Sequence, residues 1–173
     1  MSLLIDPLAL KKGFPENGNM SEKIKWLVDN YGKDIIAAVK GSGICFPLVV
    51  AQFCEESFFG ANTKAQRYNN FAGIKNQPKG ATGKTVTNYA IFPYASTCFD
   101  TYINYVLLDP TKAYNKNNQL VNAQSPIDQL KIIADNGYYQ ETGNRATDSA
   151  IYQSHVSPIL KKVIAMYPFS KIA

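Results

Sequence analysis

The amino-acid sequence predicts a mostly helical α+β domain with one small β-hairpin lobe and a cleft between the lobes. Apolar residues recur at helical spacing in most segments between residues 21 and 167. Only residues 85–92 alternate in the manner of a strand. The chain has 173 residues, enough for one well-cored domain and short for two. Helices packed beside a hairpin leave a groove, which is where ligands commonly bind.

The N-terminal third predicts an arm followed by short helices. Residues 1–19 contain two prolines and two glycines, which indicates an irregular arm and leaves residues 20–173 as the single domain. Ser21 is predicted to cap a helix that runs to Gly32, and a second short helix covers residues 34–39. A third helix has Pro47 in its first turn.

The later elements alternate between turn signals and helical patterns. Residues 63–69 are predicted to form one or two helical turns, and residues 73–94 contain the hairpin. Ser96 is predicted to cap a long helix that ends before Pro110. Ser125 and Pro126 open another helix. The last helix covers about residues 147–167, with Pro158 either starting a new segment or kinking it.

Composition and charge exclude several functional classes. Apolar residues make up 46% and charged residues 18%, as in globular proteins, and no apolar run reaches the roughly 20 residues of a transmembrane helix. No signal peptide is visible. The net charge of +5 favours an anionic partner, but the basic residues are scattered, so nucleic-acid binding is not predicted. Three cysteines and one histidine lack ligand spacing, so no metal, cofactor or disulfide scaffold is predicted.

A glutamate at the end of an apolar helix is the main candidate for chemistry. Val49, Phe53 and Glu56 follow one another at helical spacing, so the Glu56 carboxyl lies on the face that the helix should bury. Desolvation disfavours the charged form of a carboxyl and raises its pKa, which makes a proton donor near neutral pH. The alternative is that Glu56 caps the helix end through a backbone amide.

A loop rich in amides follows this helix. Residues 69–75 read Asn-Asn-Phe-Ala-Gly-Ile-Lys. Amides, an aromatic ring and a glycine suit a surface that approaches a sugar closely, with asparagine side chains on its hydroxyl and acetamido groups. The alternative is an ordinary turn, because asparagine and glycine are common turn residues.

These segments together resemble the bacterial glucosaminidase domain, glycoside hydrolase family 73, which is related in fold to lysozyme. The matching residues are Gln52, Glu56, Ser57 and Gly60, then residues 70–75, then Tyr94, Ala95, Ser96 and Asp100, and finally Gly137, Tyr138 and Tyr152. They follow the family order across residues 21–166.

The resemblance implies a lysozyme-like peptidoglycan hydrolase, an endo-β-N-acetylglucosaminidase that cleaves β-1,4 bonds of cell-wall glycan. It implies Glu56 as general acid and Tyr138 as the second catalytic residue. The implied substrate-binding residues are Gln52, Phe59, Asn70, Phe71, Gly73, Lys75, Tyr94 and Tyr152, with a structural role as the alternative for the last two. The expected partner is the glycan strand, and we expect a monomer in the cell envelope or outside the cell.

One departure from the family bears on mechanism. Family members often carry a second carboxylate in the hairpin, whereas no Asp or Glu lies between Gly73 and Ala95, and Asn88 occupies the nearest position. Glu55, expected to face solvent or the groove rim, replaces an apolar residue. We therefore expect the substrate acetamido group, or a water held by tyrosine, to complete the reaction. A lytic transglycosylase or muramidase of the same fold and a non-catalytic glycan-binding module are the alternatives.

Overall fold

The computed structural model describes residues 12–168. The helices are α1 (Met20–Val39), α2 (Phe46–Ser57), α3 (Thr63–Tyr68), α4 (Ala95–Thr101), α5 (Gln119–Asn122), α6 (Pro126–Asp135) and α7 (Arg145–Met166). The two strands are β1 (Gly83–Lys84) and β2 (Ala90–Ile91). Most of the predicted arm, residues 1–11, and the end of the predicted domain, residues 169–173, lie outside the described residues.

The first predicted pair of helices is one helix. Gly32 does not end α1, because the apolar positions on either side of it stay in phase and are buried, among them Leu27 and Ile35. A glycine inside a helix costs about 1 kcal/mol, which this packing outweighs. The cap is also different from the prediction. Asn19, not Ser21, accepts from the Glu22 amide at 3.1 Å, and the Glu22 carboxylate accepts from the Asn19 amide at 2.7 Å.

Helix α2 forms the centre of the molecule. Ten of its twelve residues are buried, and the two that are not are Glu55 and Glu56, in the last turn. It packs against α1 on one side and α7 on another. A helix that is apolar on all faces needs such a position. The helix ends at Phe58, which has left-handed backbone angles of φ 49° and ψ 61°.

The hairpin lobe is confirmed, with strands shorter than the sequence predicts. The strands pair antiparallel, Gly83 with Ile91 and Lys84 with Ala90. Residues 85–88 form the connecting turn, because the Asn88 amide donates to the Thr85 carbonyl at 2.9 Å. The alternation of residues 85–88 is therefore that of an exposed turn.

Helix α4 continues without a break into a π-helical segment, Tyr102–Leu107. Its N-cap position is Tyr94, which makes no side-chain cap, so the predicted Ser96 cap is wrong. A 3-10 segment, Ala113–Asn118, and α5 follow, neither of which the sequence predicted. Helix α6 begins as predicted, with the Ser125 hydroxyl accepting from the Asp128 amide at 3.1 Å.

Pro158 lies inside α7, which is one continuous helix, so this proline does not start a new segment. The helix begins two residues before the predicted start, with Asn144 accepting from the Thr147 amide at 3.1 Å. Together with α6 it covers α2. The predicted fold class, mostly helical with one small hairpin, is confirmed.

All three cysteines are buried in the core as thiols outside any disulfide: Cys45, Cys54 and Cys98. Burial raises the pKa of Cys98 to about 12 and raises that of Cys54 well above its ordinary value. Among residues 12–168, no helix is long and apolar enough to cross a bilayer.

Candidate active site

A cleft of about 600 Å³ lies between the hairpin lobe and the helices. We call it the main cleft. Its hairpin wall is formed by Ala72, Gly73, Ile74 and Lys75, its helical wall by Tyr102, Val106, Lys112, Tyr114, Gly137, Tyr138, Tyr139 and Gln140, and Glu56 lies between them. The cleft that the sequence predicts is therefore present, with the predicted acid in it.

Glu56 reaches the main cleft because α2 is buried up to its last turn. Its side chain is partly buried. Burial raises the pKa of Glu56 above its ordinary value of 4.5, while the Lys64 ammonium opposes this shift and the Glu55 charge adds to it. A carboxyl with a raised pKa retains a proton to a higher pH than an exposed one, as a general acid requires.

The hairpin wall approaches the Glu56 carboxyl through a glycine. A Cβ on residue 73 would lie 3.2 Å from Glu56 Oε2 and 3.7 Å from Lys64 Nζ. Gly73 also has φ +62°, a conformation that side chains disfavour. Glycine is therefore favoured here for two reasons, the left-handed backbone and the close approach to the carboxyl.

A cluster of tyrosines backs the helical wall. The Tyr138 and Tyr102 hydroxyls are 2.7 Å apart, and Gln52 donates to the Tyr152 hydroxyl at 2.9 Å. The rings of Tyr138 and Tyr152 lie 5.2 Å apart. Burial, and then the nearby Glu56 charge, raise the pKa of Tyr138 far above neutral pH. Tyr138 is therefore a neutral phenol, which can donate or accept a hydrogen bond but is not a phenolate.

Three of the predicted substrate-binding residues have no exposed surface: Gln52, Asn70 and Phe71. Asn70 donates to the Ile74 and Ala90 carbonyls, at 2.8 and 3.0 Å, and accepts from the Ile74 amide at 2.9 Å. Its amide therefore ties the hairpin to the loop after α3 and does not face the cleft. A direct contact between these three side chains and a ligand would require the fold to open.

The other predicted residues divide between the cleft and its surroundings. Gly73, Lys75 and Tyr138 line the main cleft beside Glu56. Phe59 is partly buried against the core and lies outside the lining. Tyr94 is 70% exposed and also lies outside it. The structure thus brings together the predicted acid, the predicted tyrosine and two residues of the loop.

A second, smaller pocket of about 340 Å³ adjoins the main cleft, and we call it the side pocket. Its lining residues are Glu55, Glu56, Lys64, Tyr139, Tyr152 and His155. Glu56 and Tyr139 belong to both linings. Glu55 therefore faces a pocket, where it pairs with His155, Oε1 to Nδ1 at 3.3 Å.

The hairpin has no carboxylate at the position where family members often carry a second one. Asn88, at the expected place, donates to Asn76 Oδ1 at 2.8 Å on the exposed face of the hairpin and lies outside both linings. Within the described chain, Glu56 is the sole carboxylate lining the main cleft, and the side pocket adds Glu55. No cluster of three or more potential metal ligands occurs in residues 12–168.

Sequence reasoning missed several lining residues. Tyr114 and Lys112 belong to a stretch whose helical turns have no clear apolar period. Tyr102 lies within the long helix that the sequence predicts, and no motif marks it. Tyr139 directly follows the predicted Tyr138, and the repeated tyrosine is a signal that could have found it. Lys64 lies on α3, a short helix with no motif.

Comparison with known proteins places this geometry in a family. The family model described as Glucosaminidase, mannosyl-glycoprotein endo-beta-N-acetylglucosaminidase, matches residues 32–164. No curated protein has a matching sequence. Among solved structures, the catalytic domain of the autolysin Auto from Listeria monocytogenes is similar, with 13% identity and a TM-score of 0.55 over 94% of this chain and 98% of that chain.

At this identity the structural match shows a shared fold, whereas the family model covers most of the chain and both halves of the cleft. The resemblance seen in the sequence is thereby confirmed. The chain belongs to the glucosaminidase family and is a glycoside hydrolase.

Proposed function

We propose that this glycoside hydrolase cleaves the glycan strands of peptidoglycan as an endo-β-N-acetylglucosaminidase, with Glu56 as the general acid. The observation that carries the proposal is the position of Glu56, a partly buried carboxyl with a raised pKa in the main cleft between the two lobes. The solved structure with the same fold is described as the catalytic domain of an autolysin, which supports cell-wall glycan as the substrate.

The proposed reaction begins with Glu56 donating its proton to the glycosidic oxygen. The bond between that oxygen and the anomeric carbon breaks, and the oxygen leaves as a hydroxyl. The acetamido oxygen of the same sugar attacks the anomeric carbon, in the substrate-assisted manner known for some glycosidases. Water then opens the cyclic intermediate, returning a proton to the Glu56 carboxylate.

Tyr138 is proposed to orient the acetamido group or the attacking water. Its neutral hydroxyl already bonds the Tyr102 hydroxyl, which fixes the phenol in the cleft wall. Gly73 and Lys75 are proposed to contact the sugar from the hairpin wall. Gln52, Asn70 and Phe71 would act indirectly, by holding the tyrosine cluster and the loop. Phe59 and Tyr94 would act at the margins of the strand, and the buried Tyr152 would support Tyr138 from behind.

The family suggests a role in the cell envelope or outside the cell. We propose that the protein acts there as a monomer on insoluble glycan. Scattered positive charge would favour its retention on an anionic wall.

The test is the Glu56→Gln variant on purified peptidoglycan. We expect it to lower turnover by about a hundredfold to ten-thousandfold, because the amide cannot donate a proton to the leaving oxygen. Glu16→Gln, an exposed carboxyl on the arm, is the matched control and should keep full activity. Fragment ends identified by mass should be reducing N-acetylglucosamine. Full activity of Glu56→Gln, with an unchanged circular dichroism spectrum, would reject the assignment.

A lytic transglycosylase is the second candidate, because a lone carboxylate in the main cleft suits that reaction as well. The fragment ends separate the two, since a transglycosylase leaves an anhydro sugar. Binding to the wall without any cleavage by the wild type would instead indicate a non-catalytic glycan-binding module.

A further inference from the structure

The side pocket lies directly beside the proposed site of bond cleavage. It shares Glu56 and Tyr139 with the main cleft, so the two spaces meet at the acid. A glycan strand that places its scissile bond at Glu56 therefore has the side pocket next to that bond. A group attached to the sugar ring there would extend into about 340 Å³ of space.

Lys64 is the cation of this pocket without a close anionic partner. Its Nζ lies 4.7 Å from the centre of the Tyr89 ring, a cation–π contact that leaves the ammonium hydrogens available. No ion pair involves Lys64 in the part of the chain that the structure describes. An ammonium that is partly buried and unpaired is a good donor to an incoming anion.

The second carboxyl of the side pocket, Glu55, already contacts another residue of the lining. Glu55 faces His155, with Glu55 Oε1 3.3 Å from His155 Nδ1. That contact uses Nδ1 of the imidazole and leaves Nε2 as a second nitrogen for a ligand. Glu56 is the group that the reaction requires to be protonated. Lys64 is therefore the lining cation that forms no ion pair in residues 12–168, although its charge also acts on Glu56.

We propose that the side pocket binds a carboxylate carried by the substrate, with Lys64 as the main donor and His155 as a second contact. This inference rests on the proposed function and names the part of the glycan that the enzyme recognises beyond the sugar rings. The arrangement makes Lys64 a specificity-determining residue.

Cell-wall glycan carries such carboxylates in two places. Alternate sugars bear a lactyl ether, whose carboxyl is free when no peptide is attached. Where a peptide stem is attached, that carboxyl is an amide and the stem supplies carboxylates of its own. The same pocket chemistry fits both sources, so the experiment must separate them.

The experiment compares kcat/KM of wild type, Lys64→Gln and Lys84→Gln on three forms of one glycan. The first is intact peptidoglycan, the second is the same glycan stripped of its stems by an amidase, and the third is stripped glycan whose lactyl carboxyls have been converted to primary amides. Lys84 is an exposed lysine on β1 and serves as the matched control. An effect of Lys64 on the acidity of Glu56 would lower kcat/KM equally on all three forms. It therefore cancels when the losses of one variant on the three forms are compared.

We expect Lys64→Gln to lose about tenfold or more on a form that carries the recognised carboxylate, and less than about threefold on the amidated form. A loss on intact glycan alone assigns the stem carboxylate, whereas a loss on stripped glycan assigns the lactyl carboxylate. Lys84→Gln should behave like the wild type on all three.

Equal losses on all three forms, or no loss on any, overturn the proposal. So does a gain by Lys64→Gln with a loss by Glu55→Gln, which would indicate a site for an ammonium group. If Lys64→Gln fails to fold, His155→Gln carries the same test, because His155 is exposed and its replacement leaves the core intact. Failure of the wild type to cleave intact peptidoglycan would instead refute the proposed function.

Discussion

The helical wall and the hairpin wall of the main cleft differ in how their parts are held. On the helical wall, Tyr102 is fully buried and bonds the hydroxyl of Tyr138, which in turn packs on Tyr152. On the hairpin wall, the strands are two residues long and the lining is largely backbone. Asn70 secures this wall through three hydrogen bonds.

This difference suggests that the two walls have different roles. Groups that exchange or orient protons need fixed positions and a low dielectric, which the buried helices provide. The hairpin wall determines how closely its backbone approaches Glu56. Its lack of a carboxylate between Gly73 and Ala95 is consistent with a wall that shapes the cleft. Variants on each wall should therefore fail in different ways.

Among the variants of the two walls, the largest effect is expected where the walls meet, in Gly73→Ala. The new Cβ would lie 3.2 Å from Glu56 Oε2 at a residue with φ +62°. The Glu56 carboxyl would have to shift by a few tenths of an ångström, and a displacement of about 1 Å can cost about a hundredfold in rate. We therefore expect a loss of about tenfold in kcat/KM on peptidoglycan, together with about 1–2 kcal/mol of stability from the left-handed backbone.

Gly41→Ala is the matched control for Gly73→Ala. Gly41 has φ +70°, and a Cβ there would meet nothing within 4 Å. It should lose a similar amount of stability in urea denaturation and keep its activity. An equal loss of activity in both variants would show that backbone strain alone is responsible.

The next effect concerns the attachment of the hairpin wall, in Asn70→Ala. The change leaves the Ile74 amide and the Ala90 carbonyl without the partner that Asn70 supplies. The Ile74 carbonyl loses one of two donors and still accepts from the Ala90 amide at 2.9 Å. We expect a loss of about 2–3 kcal/mol in the free energy of unfolding, because unpaired buried groups are costly. Asn104→Ala, which removes an exposed bond to the Asp100 carbonyl, should cost less than about 0.5 kcal/mol. Equal midpoints in urea for the two variants would contradict this account of the wall.

A smaller effect separates chemistry from structure on the helical wall. Tyr138→Phe and Tyr102→Phe each break the same 2.7 Å contact between hydroxyls, and each should cost about 1 kcal/mol of stability. Tyr138→Phe should also lower kcat by about tenfold, because it removes the hydroxyl that orients the reacting group. The same kcat in both variants would reduce Tyr138 to a packing residue.

The smallest effect is a dependence of stability on pH. Burial raises the pKa of Glu56 in the folded state, so the folded protein keeps this proton at pH values where the unfolded chain has released it. The stability associated with Glu56 is complete below the unfolded pKa and is lost as pH rises through the folded pKa. Glu56→Gln has no such loss, so its stability relative to wild type should rise between pH 4 and pH 8 in thermal denaturation. A constant difference would show that the carboxyl is not desolvated.

The helices on both sides of the site were predictable because their signals are local. The apolar run of α2, the proline in its first turn and the caps at Ser125 and Pro126 each fix an element without reference to the rest of the chain. The predictions at Gly32 and Ser96 are wrong. Burial of the residues on both sides of Gly32 lets the helix continue, and Tyr94 rather than Ser96 occupies the N-cap position of α4. Residues 113–122 carry no strong period, and left-handed backbone at Asn117 and Asn118 interrupts their helical turns.

The site itself was predictable only in part, for a related reason. Glu56, Gly73 and Tyr138 stand in motifs that the sequence displays directly. The main cleft also includes Tyr114, and the side pocket includes Lys64 and His155. These residues reach the pockets through tertiary contacts, which no spacing in the sequence encodes. The burial of Asn70 could not be predicted either, because an asparagine in a loop can equally well bind a sugar or make hydrogen bonds within the protein.

The burial of Cys45, Cys54 and Cys98 has a practical consequence. A sulfhydryl reagent attacks the thiolate. Burial shields all three sulfurs and raises the pKa of Cys54 and Cys98, so these two thiols ionise less readily. Modification therefore has to wait for the core to open. The rate at which a chromogenic disulfide reagent labels the native enzyme would follow transient unfolding directly, with no engineered probe.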